Sequence, residues 1–344
     1  MTGLDALLRV DAATLDTGLS AENARAGWAA AIEGARRVDL VGELPGRAPS
    51  AVVIVASANV FTAPIEWAWA LSQRGVRVIL KSARGLAAVG EAIAEAMPGV
   101  EARDWRGGDL GAEAAALQEA DCAMVFGSRE TVAAIRARSP VPVLGFGPRF
   151  GVATVRRMNQ TNAAKIALDH ALYDGRGCMS PAAVFVEDRE GGGAPPVALF
   201  DALGAMDARL PVGRISAAEE VDRRALLLLG RAVGSGWAVG SWIVVELLAE
   251  RFEPRGLPRV VVLHPGAPSA ATIRPWRAEL GTIAVQRGAE RDTRREPGLV
   301  EAFGLEDLPP ARVCPVGTMQ RPPGDRALHD GVDVLAAIQA ADRH

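Results

Sequence analysis

Residues 52–80, VVIVASANVFTAPIEWAWALSQRGVRVIL, set the architecture of the first part of the chain. The run VVIVA over residues 52–56 is short and continuously apolar, the pattern of a strand covered on both faces. Residues 64–73 read as a helix, with Pro64 suited to its first turn and Gly75 placed to end it. Residues 76–80 repeat the buried-strand pattern. The alternation continues outward, with an Ala-rich helix over residues 86–97, strands over 122–126 and 141–146, and a helix over 130–138. Upstream, Ser20 reads as the N-cap of a helix running to about residue 37. Strands and helices alternating at these lengths predict a doubly wound parallel sheet.

From residue 151 the rhythm loosens. A helix over 162–173 leads to a Gly-rich turn at 174–177 and a strand at 182–187. After the loop Gly191-Gly192-Gly193 come a helix over 196–206 and strands over 259–264 and 282–286. A Pro- and Gly-rich segment, 315–330, precedes a last helix over 332–341. No internal repeat is visible. A chain of 344 residues can hold two domains with a core each. The expectation is two α/β domains, residues 1–150 and 151–344.

Composition excludes several classes of function. Hydrophobic residues make up 49% and charged residues 23%, which is globular rather than disordered. A formal charge of -3 gives no electrostatic reason to expect nucleic acid or an anionic membrane as partner. No apolar run approaches a membrane span, and Asp5, Arg9 and Asp11 interrupt the start of the chain where a secretory signal would be apolar. The expected location is therefore cytoplasmic. Three cysteines form no disulfide framework and none has metal-ligand spacing, so no metal is expected. Of the 38 basic residues only Lys81 and Lys165 are lysine, which marks both in an arginine-rich background.

Two glycine spacings resemble phosphate loops: Gly145, Gly147 and Gly151, and Gly234, Gly236 and Gly240. Neither is followed by a strong helix and an acidic residue about 20 positions on, as the dinucleotide fingerprint requires. Among the cysteines, Cys122 opens an apolar strand and Cys314 lies between Val313 and Pro315, natural places for an inert thiol. Cys178 differs, because Gly175-Arg176-Gly177-Cys178-Met179-Ser180-Pro181 is a turn between a helix and a strand. Flanking glycines permit close backbone approach, and Arg176 is a nearby cation that could favour the thiolate. On these features alone a structural and a catalytic role for Cys178 both stand.

Three stretches resemble a known family. Tyr173-Asp174-Gly175-Arg176-Gly177-Cys178-Met179-Ser180-Pro181, followed by Ala183-Val184-Phe185-Val186, is similar to the nucleophile motif of the LuxC-type long-chain acyl-CoA reductases, within the aldehyde dehydrogenase superfamily. Arg312-Val313-Cys314-Pro315-Val316-Gly317-Thr318-Met319-Gln320-Arg321-Pro322-Pro323 and His329-Asp330-Gly331 resemble its C-terminal signature. The resemblance covers residues 51–335. It implies an aldehyde dehydrogenase-like fold, a nucleotide-binding domain followed by an α/β catalytic domain that carries Cys178.

The resemblance also assigns roles. Cys178 becomes the nucleophile, and Asn59, in Ser57-Ala58-Asn59-Val60, a donor to the oxygen of the reacting carbonyl. Lys81 matches the lysine that reaches the adenosine ribose. Three residues on, where NAD-preferring members often carry a glutamate, stands Arg84, which suits a 2′-phosphate and so NADPH. Phe126-Gly127-Ser128 resembles the superfamily's turn beneath the nicotinamide half, making Gly127 and Ser128 cofactor contacts. Read without the resemblance, Asn59 is a turn residue, Arg84 a solvated helix-start residue and Ser128 an N-cap. Hydrolytic members place a glutamate base where this chain reads Val143-Leu144-Gly145-Phe146-Gly147. Without a base to activate water, the acyl-enzyme is expected to persist until hydride or a thiol arrives.

The function this implies is reduction of a long-chain acyl-CoA to a fatty aldehyde, by a homo-oligomer that also meets an acyl-activating enzyme. Two alternatives stay open: a short-chain CoA-acylating aldehyde dehydrogenase, and a non-reducing subunit that only carries the acyl group. Trp67, Trp69, Trp237 and Trp242 suit either an acyl channel or the core. His264 could relay a proton, though the core reading of this histidine is the stronger.

Overall fold

The computed structural model describes residues 3–38, 49–189, 194–286, 312–321, 328–329 and 332–341. Two compact units emerge, one of Met1–Thr17, Ala24–Pro148 and Arg321–His344, the other of Gly18–Asn23 and Arg149–Gln320. The second unit thus takes in Gly18–Asn23 as well as the chain from Arg149, and the last residues group with the first unit. The predicted triple-glycine loop and Asp330-Gly331 lie outside the described residues.

In the first unit the strands are β1 (Ala51–Val55), β2 (Arg77–Lys81), β3 (Val100–Ala102), β4 (Cys122–Phe126) and β5 (Val143–Phe146). They form one sheet in the order β3-β2-β1-β4-β5, with every neighbouring pair parallel. All five residues of β1 and of β4 are buried, as their unbroken apolar runs predict. The helices are α1 (Gly3–Leu7), α2 (Ala21–Val38), α3 (Ala63–Ser72), α4 (Ala87–Ala96), α5 (Leu110–Gln118) and α6 (Arg129–Arg138). Of these, α5 and the three-residue β3 are not legible in the sequence pattern; Asp109 starts α5 by accepting from the Ala112 N–H at 3.1 Å. Val53, Ile79, Ala123, Val125 and Ile135 form part of one continuous core. Each fully buried Val or Ile among them contributes about 1.5–3 kcal/mol.

The strand order reverses between β1 and β4. From β1 the chain winds outward through β2 to β3, and from β4 it winds the other way to β5. In open parallel sheets a ligand crevice opens at the carboxyl ends of the strands at such a switch point.

The second unit holds β6 (Phe150–Val155), α7 (Gln160–Ala171), β7 (Pro181–Val186), α8 (Val197–Arg209), α9 (Ala217–Val233), β8 (Ser235–Val239), β9 (Trp242–Glu246), β10 (Val260–Pro265), β11 (Leu280–Val285) and β12 (Arg312–Pro315). Their order is β12-β11-β6-β7-β10-β9-β8, and only the edge hairpin β8–β9 is antiparallel. The central strands β6 and β7 are buried along their whole length. Phe150, Phe185, Phe252 and Ile283 are among the side chains that fill the adjoining core. A capping box starts α9, in which Ser216 accepts from the Glu219 N–H and the Glu219 carboxylate accepts from the Ser216 N–H.

Candidate active site

Cys178 sits at the amino end of β7, where the chain reverses from α7 into the sheet. Leu172–Gly175 is a short 3-10 turn in which Tyr173 and Asp174 both have φ 57°, and Gly175 has φ 76°. Three successive left-handed residues bend the chain sharply, and only the glycine adopts that conformation without cost. Then the Ser180 N–H donates to the Gly177 carbonyl at 2.9 Å, closing a β-turn with Cys178 as its first central residue. Cys178 is half-buried, whereas Cys122 and Cys314 are buried. Burial pushes the Cys314 thiol up from its ordinary value, as befits an inert core sulfur.

Upstream, the turn rests on Asp174, a fully buried carboxylate. Its Oδ1 accepts from Arg259 Nε at 2.8 Å and Asn23 Nδ2 at 3.1 Å. Its Oδ2 accepts from Arg176 at 3.1 Å and the Gly213 N–H at 3.0 Å. Arg176 also pairs with Glu219 at 2.8 Å and donates to the Arg214 carbonyl. Arg176 thus pairs with two carboxylates and ties the turn to the start of α9.

Downstream, the turn meets residues 312–320. Gln320 donates to the Ser180 hydroxyl, and Arg312 lies 3.1 Å from Met179 Sδ. Asp169, at the end of α7, accepts from the N–H groups of Gly317 and Met319. Gly151 has no room for a side chain, since a Cβ there would stand 2.5 Å from Met319 Cε and 3.0 Å from the Met179 and Ser180 carbonyls. That glycine allows close packing beneath the turn. Gly234 is similar, its Cβ position lying 2.1 Å from the Glu246 carbonyl. Lys165, one of the two lysines, lays its stem against Gly317, whose φ is 90°.

The histidine His264 is a core residue, as the sequence reading favours. His264 Nδ1 lies 2.8 Å from the Leu247 carbonyl, and its ring stacks on Phe185 at 5.2 Å. Desolvation lowers its pKa, as it does for His170, which is pushed down to about 4. Trp67, Trp69 and Trp242 are buried too, and the Arg259 guanidinium covers the Trp242 ring at 4.5 Å. Trp237 is half-buried against Phe200.

The remaining predicted residues stand at or after the carboxyl ends of β1, β2 and β4 in the first unit's sheet. Asn59 is exposed in the turn after β1, and its side chain has no hydrogen bond among the described residues. Gly127 and Ser128 follow β4, so these loops flank the switch point. The Gly127 N–H is spent on the Phe146 carbonyl at 3.1 Å, and Ser128 caps α6 by accepting from the Thr131 N–H at 3.2 Å. Lys81 ends β2 half-buried; desolvation lowers its pKa, with Asp104 opposing and Arg84 adding to the shift. Arg84 is exposed with no ion pair among the described residues. A half-buried amine and an exposed guanidinium thus stand at and just past one strand end, two cationic donors of the kind that could hold an anion.

The profile of the acyl-CoA reductase (LuxC) family matches residues 103–341, which include the Cys178 turn and the segment that packs on it. The chain belongs to that family of acyl-CoA reductases. A search of the curated proteins returns no sequence match. Among solved structures, this reductase-family chain resembles aldehyde dehydrogenases. The acetylating aldehyde dehydrogenase from Geobacillus thermoglucosidasius has a TM-score of 0.61 at 12% identity, covering 98% of this chain and 88% of that one. Aldehyde dehydrogenase 21 from Physcomitrella patens, in complex with the product succinate, gives 0.66 at 14%, covering 98% and 83%. The 1-pyrroline-5-carboxylate dehydrogenase from Thermus, with bound NAD, gives 0.58 at 15%, covering 99% and 80%. The fold is thus of the aldehyde dehydrogenase type. Among the described residues no helix is long and apolar enough to cross a membrane.

Asp169, Asp174, Arg259 and Gln320 are parts of the site that sequence reasoning does not assign. Asp174 and Gln320 stand inside the two motifs quoted above, and that position is their one sequence signal. Nothing local marks Arg259, which lies 85 residues from its partner Asp174.

Proposed function

We propose that this protein reduces a long-chain acyl-CoA to the fatty aldehyde through a thioester on Cys178, with NADPH as reductant. The observation that carries the reading is the half-buried Cys178 thiol on a turn clamped from both sides, in a family of acyl-CoA reductases. The first unit is assigned to the nucleotide and the second to the acyl group. The thiolate attacks the acyl carbonyl carbon, and the carbon–sulfur bond to CoA breaks as CoA leaves with the electron pair. Bound NADPH supplies a hydride to the carbonyl carbon. Asn59 and the Cys178 N–H donate to the oxygen as it gains charge, an arrangement worth a few kcal/mol per donor. Cys178 leaves as thiolate when the hemithioacetal collapses, and the aldehyde departs.

Support for NADPH comes from Arg84, exposed and without an ion pair, which can take a 2′-phosphate through parallel hydrogen bonds. Lys81 beside it would hold the ribose. Asp104, close enough to influence Lys81, offers a carboxylate to an unphosphorylated ribose, and favours NADH as the second reading.

The test mixes protein, NADPH and a long-chain acyl-CoA, following NADPH loss, aldehyde and acyl label on Cys178. Label with NADPH loss and aldehyde is the expected result, absent in Cys178→Ala. Wild-type turnover by Cys178→Ala overturns the nucleophile. Label without NADPH loss means an acyl-carrying subunit, and faster turnover of acetyl-CoA means a short-chain enzyme.

A further inference from the structure

We infer that Gln320 is a positioning residue for the Cys178 nucleophile and acts on it through Ser180. The inference rests on the assignment of Cys178 given above.

Ser180 closes the turn in which Cys178 stands, and its backbone and side chain are all engaged. Its N–H donates to the Gly177 carbonyl at 2.9 Å, and its carbonyl accepts from the Gly151 N–H on β6 at 3.1 Å. Those two bonds fix one end of the turn against the sheet but leave rotation about the Ser180 side chain unconstrained. Gln320 supplies the third bond, from Nε2 to the Ser180 hydroxyl, and both residues are buried.

Gln320 is itself fixed. The same Nε2 donates to the Asp169 carbonyl at 3.0 Å. The Asp169 carboxylate accepts from the Gly317 N–H at 2.6 Å and the Met319 N–H at 3.0 Å, so residues 317–320 wrap the end of α7. From the other side, Arg312 donates to the Met319 carbonyl at 2.6 Å and the Thr318 carbonyl at 3.0 Å while touching Met179. The chain of contact runs from Asp169 through Gln320 and Ser180 to the turn around Cys178. It gives this part of the C-terminal segment a job that its own cysteine, buried Cys314, does not have.

The backbone of this turn sets where the Cα–Cβ bond of Cys178 and its N–H point. A displacement of about 1 Å at a reacting centre costs up to about 100-fold in rate. Removing the Gln320 donor also leaves a buried hydroxyl short of a partner, so the turn gains a reason to shift.

The experiment compares Gln320→Met, Ser180→Ala and the double variant with wild type. It reads kcat and KM per alkylatable Cys178, and the rate at which iodoacetamide modifies Cys178, resolved by mass spectrometry. Ser180→Ala removes one hydroxyl and serves where Gln320→Met fails to fold. Each single variant is expected to lower kcat about 10- to 100-fold, with KM nearly unchanged and a changed alkylation rate. The double variant should be no worse than either single one, because one path carries both effects. Wild-type kcat and alkylation rates in both single variants overturn the inference, and so do additive losses in the double variant. Cys178→Ala, run alongside, separates the two levels. Wild-type turnover there sinks the nucleophile assignment, whereas an inactive Cys178→Ala with a fully active Gln320→Met sinks only the role of Gln320.

Discussion

Arg259 and Asp174 meet as a salt bridge at 2.7 Å with neither side chain exposed to solvent. The pair lies beneath the turn that carries Cys178, and Arg259 also donates to the carbonyls of Leu210 at 2.6 Å and Pro211 at 3.2 Å, with Asp207 at 3.7 Å. Breaking a buried pair from one side leaves an uncompensated charge, which costs about 3–5 kcal/mol. Asp174→Asn keeps the volume and tolerates the left-handed backbone but removes the charge. Denaturant unfolding should therefore show a loss of that order. Asp174→Asn with Arg259→Met should lose less than Asp174→Asn alone. Equal stability of wild type and Asp174→Asn would mean that the pair does not hold the turn.

Gly151 connects packing to the site more directly. An added methyl would press on the Met179 and Ser180 carbonyls, which frame Cys178, and on the fully buried Met319. Overpacking of this kind costs about 1–3 kcal/mol. Gly151→Ala is expected to lose stability in that range and to slow acylation of Cys178, read as label per unit time. Gly75→Ala is the control, because nothing lies within 4 Å of a Cβ there, although its φ of 73° carries a strain of its own. Acylation at the wild-type rate in Gly151→Ala would disconnect that packing from the site.

These contacts show where sequence reading reaches and where it stops. Buried parallel strands are legible because both faces are covered, so β1 and β4 appear as unbroken apolar runs, and β2 and β10 as apolar runs closed by a polar residue. The Cys178 turn is legible because glycines announce it. Strand β6 is missed because Gly151 and Thr154 break its apolar run, and that glycine answers to a contact from Met319, far along the chain. Helix α9 is missed although Ser216 and Glu219 spell a capping box. The Asp174–Arg259 and Gln320–Ser180 pairs have no local pattern at all, since tertiary structure alone brings them together. Arg176 illustrates the same limit, for nothing in its local sequence singles out Asp174 and Glu219 as the carboxylates it pairs with in the fold.

Cofactor preference turns on Arg84. If its guanidinium pairs with a 2′-phosphate, a charged hydrogen bond worth about 1.5–3 kcal/mol is lost in Arg84→Ala. That corresponds to a rise of about 10- to 100-fold in KM for NADPH with little change for NADH. Steady-state kinetics with both nucleotides measures it. Equal effects on the two, or a wild-type preference for NADH, would shift the ribose contact to Asp104.

Acid should destabilise this protein in two stages, each with its own groups. Burial holds His170 neutral in the fold, pushing its pKa down to about 4. An unfolded chain takes up that proton near pH 6.5, so unfolding is coupled to proton uptake between those values. Stability is therefore fully present above pH 6.5 and falls as pH drops towards 4, by about 3 kcal/mol for this one residue. His264, also lowered by desolvation, contributes in the same direction. Carboxylates act later. For Glu219, burial opposes ionisation, but hydrogen bonds from Arg176 and Ser216 outweigh it and bring the carboxyl to about 2. Its contribution disappears only as pH falls from about 4.5 towards that value. Unfolding free energy measured from pH 7.5 to 3 should show a first decline in wild type that His170→Asn reduces, and a second that it leaves unchanged. An unaltered first decline in His170→Asn would mean that His170 takes up its proton as readily in the fold as in the unfolded chain.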